Sequence, residues 1–587
     1  MQFHSTFNKE PVVRVHGREQ ECVTGWEPVG AELDRALQQL PPGNRIIAVE
    51  TYHGVYLETL KSQLETLLQP GRVIDTAELF REEEVIRKMT HPDVTDDRVF
   101  GYMTRLRMAD FLDRQKLEQA RQTVCRGNGE VTLVIGYGAS MVTLLGILVY
   151  ADMARWEIQR RMRLNEIDNL GIYNRGEHPE LKYKRGYFVD WRVCDRIKKT
   201  TMERWDYLLD TNHHDRPNLV RAGALFEGLR QAARRPFSVV PFFDPGPWGG
   251  QWMKERFGLE PGVDNYAWCF NCVPEENSLL LGYGQSRVEI PSINLVFYQS
   301  VELLGDAVHA RFGDEFPIRF DFLDTMAGGN LSLQVHPLTE YIQDRFGMHY
   351  TQDESYYLLD AEGDGSVYLG LKEGVDRQEM IEALKRSERE GVPFDVDRYV
   401  ENWPAKKHDH FLIPAGTIHC SGRNGMVLEI SATPYIFTFK LYDWDRKNLD
   451  GQPRPINVKH GIRNIQWYRT RNWTGKNLVN QVEILAEGDG WTEERTGLHE
   501  REFIETRRHW FTSAVPHHTE GGVNVLNLVE GEEVVVESPG GAFEPVVIHY
   551  AETFIVPAAV GPYTLRPHGP SVGKKCATVK AFVRVNP

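Results

Sequence analysis

The chain of 587 residues is poor in cysteine, lacks a basic balance and has no apolar run at its start. Its seven cysteines, spread from Cys22 to Cys576, form no disulfide framework, and their odd number fits a reducing compartment. Cys269 and Cys272 make the only CxxC. With no second pair to complete a zinc site, they read as a buried, inert pair. A formal charge of −15 excludes a broad nucleic-acid-binding face, which needs positive potential, but leaves room for a local field suited to an anionic substrate. Met1-Gln2-Phe3-His4-Ser5 is polar and unlike a signal peptide, so a cytoplasmic location is expected. Low-complexity tracts and fixed-period repeats are also missing.

One uncharged stretch, Val131 to Ala151, is 21 residues long and would reach across a bilayer. Its texture argues otherwise. Thr132-Leu133-Val134-Ile135-Gly136-Tyr137-Gly138 reads as a buried strand ending in a glycine turn. Leu145-Gly146-Ile147-Leu148-Val149-Tyr150 reads as a second strand, followed at once by Asp152 and Arg155. No membrane partner is expected.

The length calls for two to four domains. Residues 1–43 read as a polar lead-in with room for one short hairpin. From 44 to 235 apolar strands (Ile46 to Val49, Val73-Ile74) alternate with helices (Tyr56 to Leu68, Phe111 to Arg121, Asp152 to Arg163), the pattern of an α/β domain with a mainly parallel sheet. The Arg-rich helix from Arg155 reads as a solvated face partnered by Glu157 and Glu166. After Pro236 the strands become short and alternating, with frequent Gly and Pro turns. Two mainly-β barrels are expected, 236–455 and 456–587, the first carrying a helical insert from Arg377 to Gly391.

Chemistry concentrates in the first barrel. Gln334 and His336 stand two apart in Leu333-Gln334-Val335-His336-Pro337, so on a strand they share a face. Glu354 follows on the next strand, and His419 comes after Pro414-Ala415-Gly416-Thr417-Ile418, read as a turn that closes a hairpin. An amide oxygen, two imidazoles and a carboxylate can hold one divalent metal: zinc, or manganese, iron, cobalt or nickel. The spacing resembles the double motif of a cupin barrel, with Gln in place of the commoner first His.

Further motifs extend the likeness. Pro247-Trp248-Gly249-Gly250, the Gln334 and His419 segments, Leu441-Tyr442-Asp443-Trp444-Asp445-Arg446 and Asp450-Gly451-Gln452-Pro453-Arg454-Pro455 occur in that order. They resemble the class I mannose-6-phosphate isomerases, zinc-dependent cupins, over residues 236–587. The resemblance implies Gln334, His336, Glu354 and His419 as metal ligands. It implies Arg454 and Lys440 as cations serving catalysis, and Trp248, Gln352 and Glu429 as the substrate shell. The implied reaction is aldose–ketose isomerisation through an enediol, on mannose 6-phosphate or a related sugar.

The sequence departs from the family in three places. Gln352 stands where a Lys is common, Lys440 replaces an Arg, and Thr433-Pro434-Tyr435-Ile436-Phe437-Thr438 lacks an acidic residue. These changes weaken the expected grip on phosphate. They keep a second reading open, a non-catalytic, metal-containing sugar-binding or regulatory protein. The last barrel reads as metal-free: Val525 to Gly531 and Ile555 to Tyr563 resemble cupin strands without ligand histidines. His213-His214 and His517-His518 read as surface loops.

The 44–235 domain, with Leu148 to Glu157 and Gly186 to Trp191, loosely resembles P-loop nucleoside-kinase-like proteins. Its first strand runs into Glu50-Thr51-Tyr52-His53-Gly54-Val55, and no GxxxxGK[ST] is present. A degenerate kinase-like domain without phosphoryl transfer and with no assigned nucleotide-binding residue is therefore expected, with binding of a sugar or nucleotide, a role in assembly, or a purely structural role left open.

Overall fold

The computed structural model describes residues 5–41, 45–126, 130–433, 437–447, 454–497 and 502–585. The chain forms two compact units: one of Val12–Gln231 and Ser278–Tyr298, the other of Met1–Pro11, Ala232–Asn277 and Gln299–Pro587. It is a multidomain, mixed α/β protein with several sheets.

In the first of these units, five strands run parallel in the order Arg72–Asp75, Thr132–Gly136, Ile46–Thr51, Ile147–Asp152 and Tyr207–Asp210. Asn218–Arg221 and Cys22–Thr24 extend the sheet antiparallel. Both faces are buried, as the continuous apolar runs require. Ile47, Val49, Leu133 and Val149 pack on one side against Val29, Leu33 and Leu37 of helix Trp26–Gln38 and Leu60, Leu64 and Leu68 of helix Leu57–Leu68. Ala48, Leu148 and Leu208 are equally buried on the other. The uncharged stretch resolves into two strands flanking Ile46–Thr51, and no helix among the described residues is long and apolar enough to cross a membrane.

Two expectations for this unit need correction. The first forty residues are more than a lead-in: Cys22–Thr24 pairs with Asn218–Arg221, and Val12–Arg14 runs parallel to Ser278–Tyr283. Helix Arg155–Arg163 is solvated on one side only: Arg160 and Arg163 are exposed, and Arg160 pairs with Glu157 at 2.7 Å as expected. Arg155 and Arg161 are buried because each finds a fixed acceptor set: Arg155 donates to Asp195 at 2.7 Å, Arg161 to Glu157 at 2.8 Å and to the Gly54 and Thr211 carbonyls.

The other unit contains two pairs of antiparallel sheets. In the first pair, a six-stranded sheet runs in the order His410–Ile413, Glu354–Ala361, Gly425–Ser431, Arg319–Asp324, Trp268–Cys272, Phe242–Asp244. Its companion runs Val400–Pro404, Ser366–Leu371, His419–Ser421, Leu333–Val335, Phe439–Tyr442. The second pair repeats the scheme. Six strands run Thr553–Val556, Asn524–Glu530, Cys576–Val583, Ile504–Phe511, Trp491–Gly497, Glu483–Gly488, and four run Val546–His549, Glu533–Glu537, Pro562–Pro567, Val515–His518. The order is the same, except that the second pair has no counterpart of Phe439–Tyr442. Leu526, Phe554 and Cys576 of one sheet meet Val515, Val534 and Leu565 of the other in a shared core. The helical insert spans Arg377–Glu390, capped by the Asp376 carboxylate and ended by Gly391 at φ +67°, with Met380, Ile381 and Leu384 buried.

The Pro414–Ile418 turn does not close a hairpin. His410–Ile413 pairs within the six-stranded sheet, whereas His419–Ser421 pairs with Leu333–Val335 and Ser366–Leu371 in its companion. The turn carries the chain from one sheet to the other.

Buried histidines give this unit a pH signature. Burial, aided by the nearby Arg508 charge, lowers the His410 pKa from 6.5 to about 3. The unfolded chain therefore binds the extra proton first, and stability contributed by neutral His410 is complete above pH 6.5 and lost as pH falls toward 3. Relative to wild type, His410→Leu should gain ~1.4 kcal/mol per pH unit across that window in urea denaturation. A stability difference that does not change with pH would refute the assignment.

Candidate metal centre

Three strands and two sheets supply the centre. Gln334 lies directly across from His419 in the antiparallel pairing of Leu333–Val335 with His419–Ser421, so both side chains leave that sheet on one face. Glu354 begins the strand Glu354–Ala361 of the facing sheet. The metal-ligating atoms of His336, Glu354 and His419 lie within 4.8 Å of one another, and all three residues are buried. They are the one such group of three among the described residues. Gln334 joins them, its Nε2 3.1 Å from His419 Nε2; a half-turn of the amide would present Oε1 instead.

The hydrogen bonds fix the imidazole tautomers. His336 Nδ1 donates to the Phe437 carbonyl at 2.8 Å, and His419 Nδ1 donates to the Thr417 carbonyl at 2.9 Å. Each Nε2 is left with a lone pair. Yet His336 Nε2 stands 3.0 Å from Glu354 Oε2, and His419 Nε2 stands 2.9 Å from Glu354 Oε1. Lone pairs aimed at carboxylate oxygens in a dry interior repel unless a cation lies between them. The residues present thus fit a divalent ion with mixed nitrogen and oxygen ligands. Burial opposes ionisation of Glu354, and only positive charge beside His336 and His419 holds its pKa below the usual range. Burial lowers His419, keeping it neutral and able to ligate.

Around this core the inner face is polar. Gln352 donates to Glu354 Oε2 at 2.9 Å and accepts from the Phe437 backbone N–H at 3.0 Å. Both ends of the amide are therefore engaged within the site. Glu429 lies opposite Tyr356 and Asp321 in the strand register. Burial and the Glu354 charge push its pKa well above the carboxylate range. Arg319, fully buried, pairs with Asp321 and approaches Glu429 at 3.5 Å. A cleft lined by Asp353, Glu354, Ser355, Phe503 and Thr506 opens beside the site.

The cations assigned to catalysis sit differently. Lys440 is directly across from Gln334 on the neighbouring strand, so its side chain leaves on the same face. Arg454 Nη1 is 3.0 Å from Asp443 Oδ2, and this carboxylate also serves Arg446. Trp248 is 2% exposed and packs edge-on against Trp268, ring centroids 4.7 Å apart; no hydrogen bond ties its side chain to the quartet among the described residues. The stretches 434–436 and 448–453, which hold part of two motifs, lie outside the described residues.

Sequence reasoning missed the clamp behind the ligands. Arg469, 1% exposed, donates through Nη1 to the Pro414 and Ala415 carbonyls at 2.8 Å each and to Thr417 Oγ1. Asn464 Oδ1 accepts from Leu338 N–H at 2.9 Å, just after His336-Pro337, and Gly416 N–H donates to the His336 carbonyl at 3.0 Å. Gly416 holds φ +86°, and a Cβ there would meet the Asn464 carbonyl at 2.7 Å. Both ligand-bearing segments are thereby tied to residues 464–469, about fifty positions beyond the turn. A lone Arg in a polar linker carries no local pattern that would reveal this.

Comparison with known proteins places these features. Residues 25–234 match the family model "Domain of unknown function (DUF8485)". The chain is 30% identical over 237 residues to mannose-6-phosphate isomerase ManA of Bacillus subtilis (strain 168), covering 39% of this chain and 68% of that protein. It is 25% identical over 217 residues to mannose-6-phosphate isomerase of Streptococcus mutans, covering 37% of this chain and 63% of the relative. Among solved structures, mannose 6-phosphate isomerase from Bacillus subtilis aligns at TM-score 0.49 and 17% identity, over 60% of this chain and 100% of that one. A phosphomannose isomerase from Salmonella typhimurium aligns at TM-score 0.46 and 13% identity, over 60% and 100%. With its paired imidazoles turned on one buried carboxylate and a relative matched over two thirds of its length, the chain belongs to the mannose-6-phosphate isomerase family.

Proposed function

We propose that the protein is a metal-dependent aldose–ketose isomerase acting on mannose 6-phosphate or a related sugar. The observation that carries the reading is the pair of Nε2 lone pairs held against Glu354, an arrangement that calls for a cation at that point. His336, His419, Glu354 and Gln334 would hold the ion, zinc being the best match to nitrogen and carboxylate ligands. Such an ion lends Lewis acidity to the carbonyl and hydroxyl oxygens of a sugar.

The chain's own residues supply the rest. Isomerisation moves one proton from C2 to C1 and one between the two oxygens, with negative charge gathering on oxygen in passing. Lys440 and Arg454 are the cations proposed to face that charge. Glu429, its pKa raised by burial and by Glu354, is the polar side chain proposed to meet a sugar hydroxyl. Trp248 is assigned to the substrate shell by family likeness alone. The degenerate kinase-like reading of residues 44–235, without a nucleotide site, and the domain limits 236–455 and 456–587 as two cupin barrels stand as proposals of the same kind.

One observation favours a second reading. Gln352, in the place where the family commonly has Lys, spends both ends of its amide on Glu354 and Phe437. It therefore adds no charge and little freedom for a substrate phosphate, as in a sugar-binding protein that retained its metal.

Three measurements test these points. His336→Ala or His419→Ala should lose the metal, measured by elemental analysis, together with ketose formation; activity that persists in metal-free protein would sink the mechanism. Wild-type protein of known metal content, given mannose 6-phosphate and free mannose side by side, should turn over at least one. Turnover of neither leaves the binding-protein reading. Arg469→Met should weaken metal affinity about 10- to 100-fold, read by chelator competition, because the turn that aims His419 loses its anchor. If Arg469→Met lowers thermal stability yet leaves metal affinity intact, the clamp is only structural.

A further inference from the structure

The second sheet pair follows the first in strand order, so the place of its own metal quartet can be found by topology. Leu333–Val335, Glu354–Ala361 and His419–Ser421 correspond to Val515–His518, Asn524–Glu530 and Pro562–Pro567. The inward residues there are His517, Asn524 and Tyr563. His517 lies directly across from Tyr563, as Gln334 does from His419, and Tyr563 Oη donates to Asn524 Oδ1 at 2.9 Å. The expectation of a surface His pair is corrected here. His518 is exposed, but His517 is 6% exposed, stacked on Tyr563 at 5.0 Å.

A second histidine meets it. His509, 2% exposed, comes from Ile504–Phe511 of the facing sheet, with ring centroids 4.2 Å apart. Its Nε2 is 3.1 Å from Glu493 Oε1, a carboxylate directly across the strand pair. That bond settles the tautomer: Nε2 carries the proton and Nδ1 carries a lone pair. Nδ1 has no hydrogen-bond partner among the described residues. Neither nitrogen of His517 has one, nor does Thr578 Oγ1, across from His509 on the other side and 0% exposed. Burial keeps both imidazoles neutral at pH 7.

We propose that His509 and His517 form a second transition-metal site in the C-terminal sheet pair, independent of the centre at Glu354. Two buried imidazole lone pairs, one of them backed by a carboxylate on the opposite ring nitrogen, are the donor set of a borderline divalent ion such as zinc or cobalt. Glu493 orients His509 and does not ligate; it is already shared with Arg507 at 3.0 Å and Lys580 at 4.0 Å. Lys580, 6% exposed, is a fixed like charge beside the site and limits its affinity.

That opposing charge gives the sharpest test. The full chain is stripped with chelator, dialysed against buffered micromolar cobalt, and its bound metal counted alongside the visible absorption of Co²⁺. In a His336→Ala/Glu354→Gln background, which disables the first centre, about one equivalent should remain. Adding His517→Asn should remove it with unchanged near-UV circular dichroism. Adding Lys580→Met instead should tighten binding about tenfold. Should the disabled background hold no cobalt, or hold cobalt that both His517→Asn and Lys580→Met leave untouched, the second site does not exist. If His517→Asn fails to fold, the direction of the Lys580→Met effect decides alone, since a structural role for the histidines predicts no change in affinity.

Discussion

Everything about the first sheet pair turns on one repulsion. Two imidazoles, each with Nδ1 committed to a backbone carbonyl, aim lone pairs at the two oxygens of Glu354 from 2.9 and 3.0 Å in a dry interior. Without a cation this costs several kcal/mol of desolvated like polarity; with one it becomes a coordination shell. The geometry therefore specifies its own ligand. It also explains the rigidity of the surroundings. The Arg469 clamp and Gly416 at positive φ fix the turn that delivers His419. Because Glu354 arrives from the facing sheet, the shell can form only when the two sheets have closed on each other. An ion bound there would couple its binding to the folding of this sheet pair for that reason.

The duplicated topology shows how one scaffold takes two kinds of interior. In the first pair, the positions facing inward hold Gln334, Glu354 and His419; in the second, the corresponding positions hold His517, Asn524 and Tyr563. Replacing Glu354 by an amide removes the negative charge that draws in a hard cation. Replacing His419 by Tyr fills the space with a ring that stacks on His517. The remaining core, with Leu526, Leu528, Phe554 and Leu565 packed between the sheets, no longer depends on an ion for its cohesion. The second pair can thus support the first, and the link is specific. Arg508 of Ile504–Phe511 donates to the His408 carbonyl, and His408 Nε2 is 3.1 Å from Glu530.

Much of this was legible where local rules apply. Strand alternation put Gln334 and His336 on one face, the stretch from Arg377 to Gly391 read as a helical insert, and the uncharged Val131–Ala151 stretch read as two buried strands. Each follows from residues within a few positions of one another. What escaped depended on distant partners. Arg155 and Arg161 look like surface residues until Asp195 and the Gly54 and Thr211 carbonyls are supplied from other elements. Ser278–Tyr283 has the alternation of any β strand, and nothing in it announces that it pairs with Val12–Arg14, more than 250 residues earlier. The Pro-x-Gly turn before His419 was recognisable, but a turn's residues do not say whether the flanking strands pair with each other or with different sheets.

The parallel-sheet unit shows the same principle in reverse. Ligands of such sheets gather beyond the carboxyl ends of the strands, where backbone N–H groups at helix starts await an anion. Here that demand is met from within. Glu50, at the end of Ile46–Thr51, accepts hydrogen bonds from the N–H groups of Gly138 and Ser140 at 2.7 and 2.8 Å, and from the Ser140 hydroxyl. Nearby, Lys198 is held by both oxygens of Asp152 at 2.9 Å and by Asn294. These donors are satisfied by the chain's own carboxylates, so a phosphate would have to displace a buried, hydrogen-bonded side chain to reach them. Burial raises the Glu50 pKa to about 7, against the pull of its three donors. The absence of a glycine-rich phosphate loop is thus matched by an internal carboxylate on the amides of Gly138 and Ser140, which ties the end of Ile46–Thr51 to the helix start that follows its neighbour Thr132–Gly136.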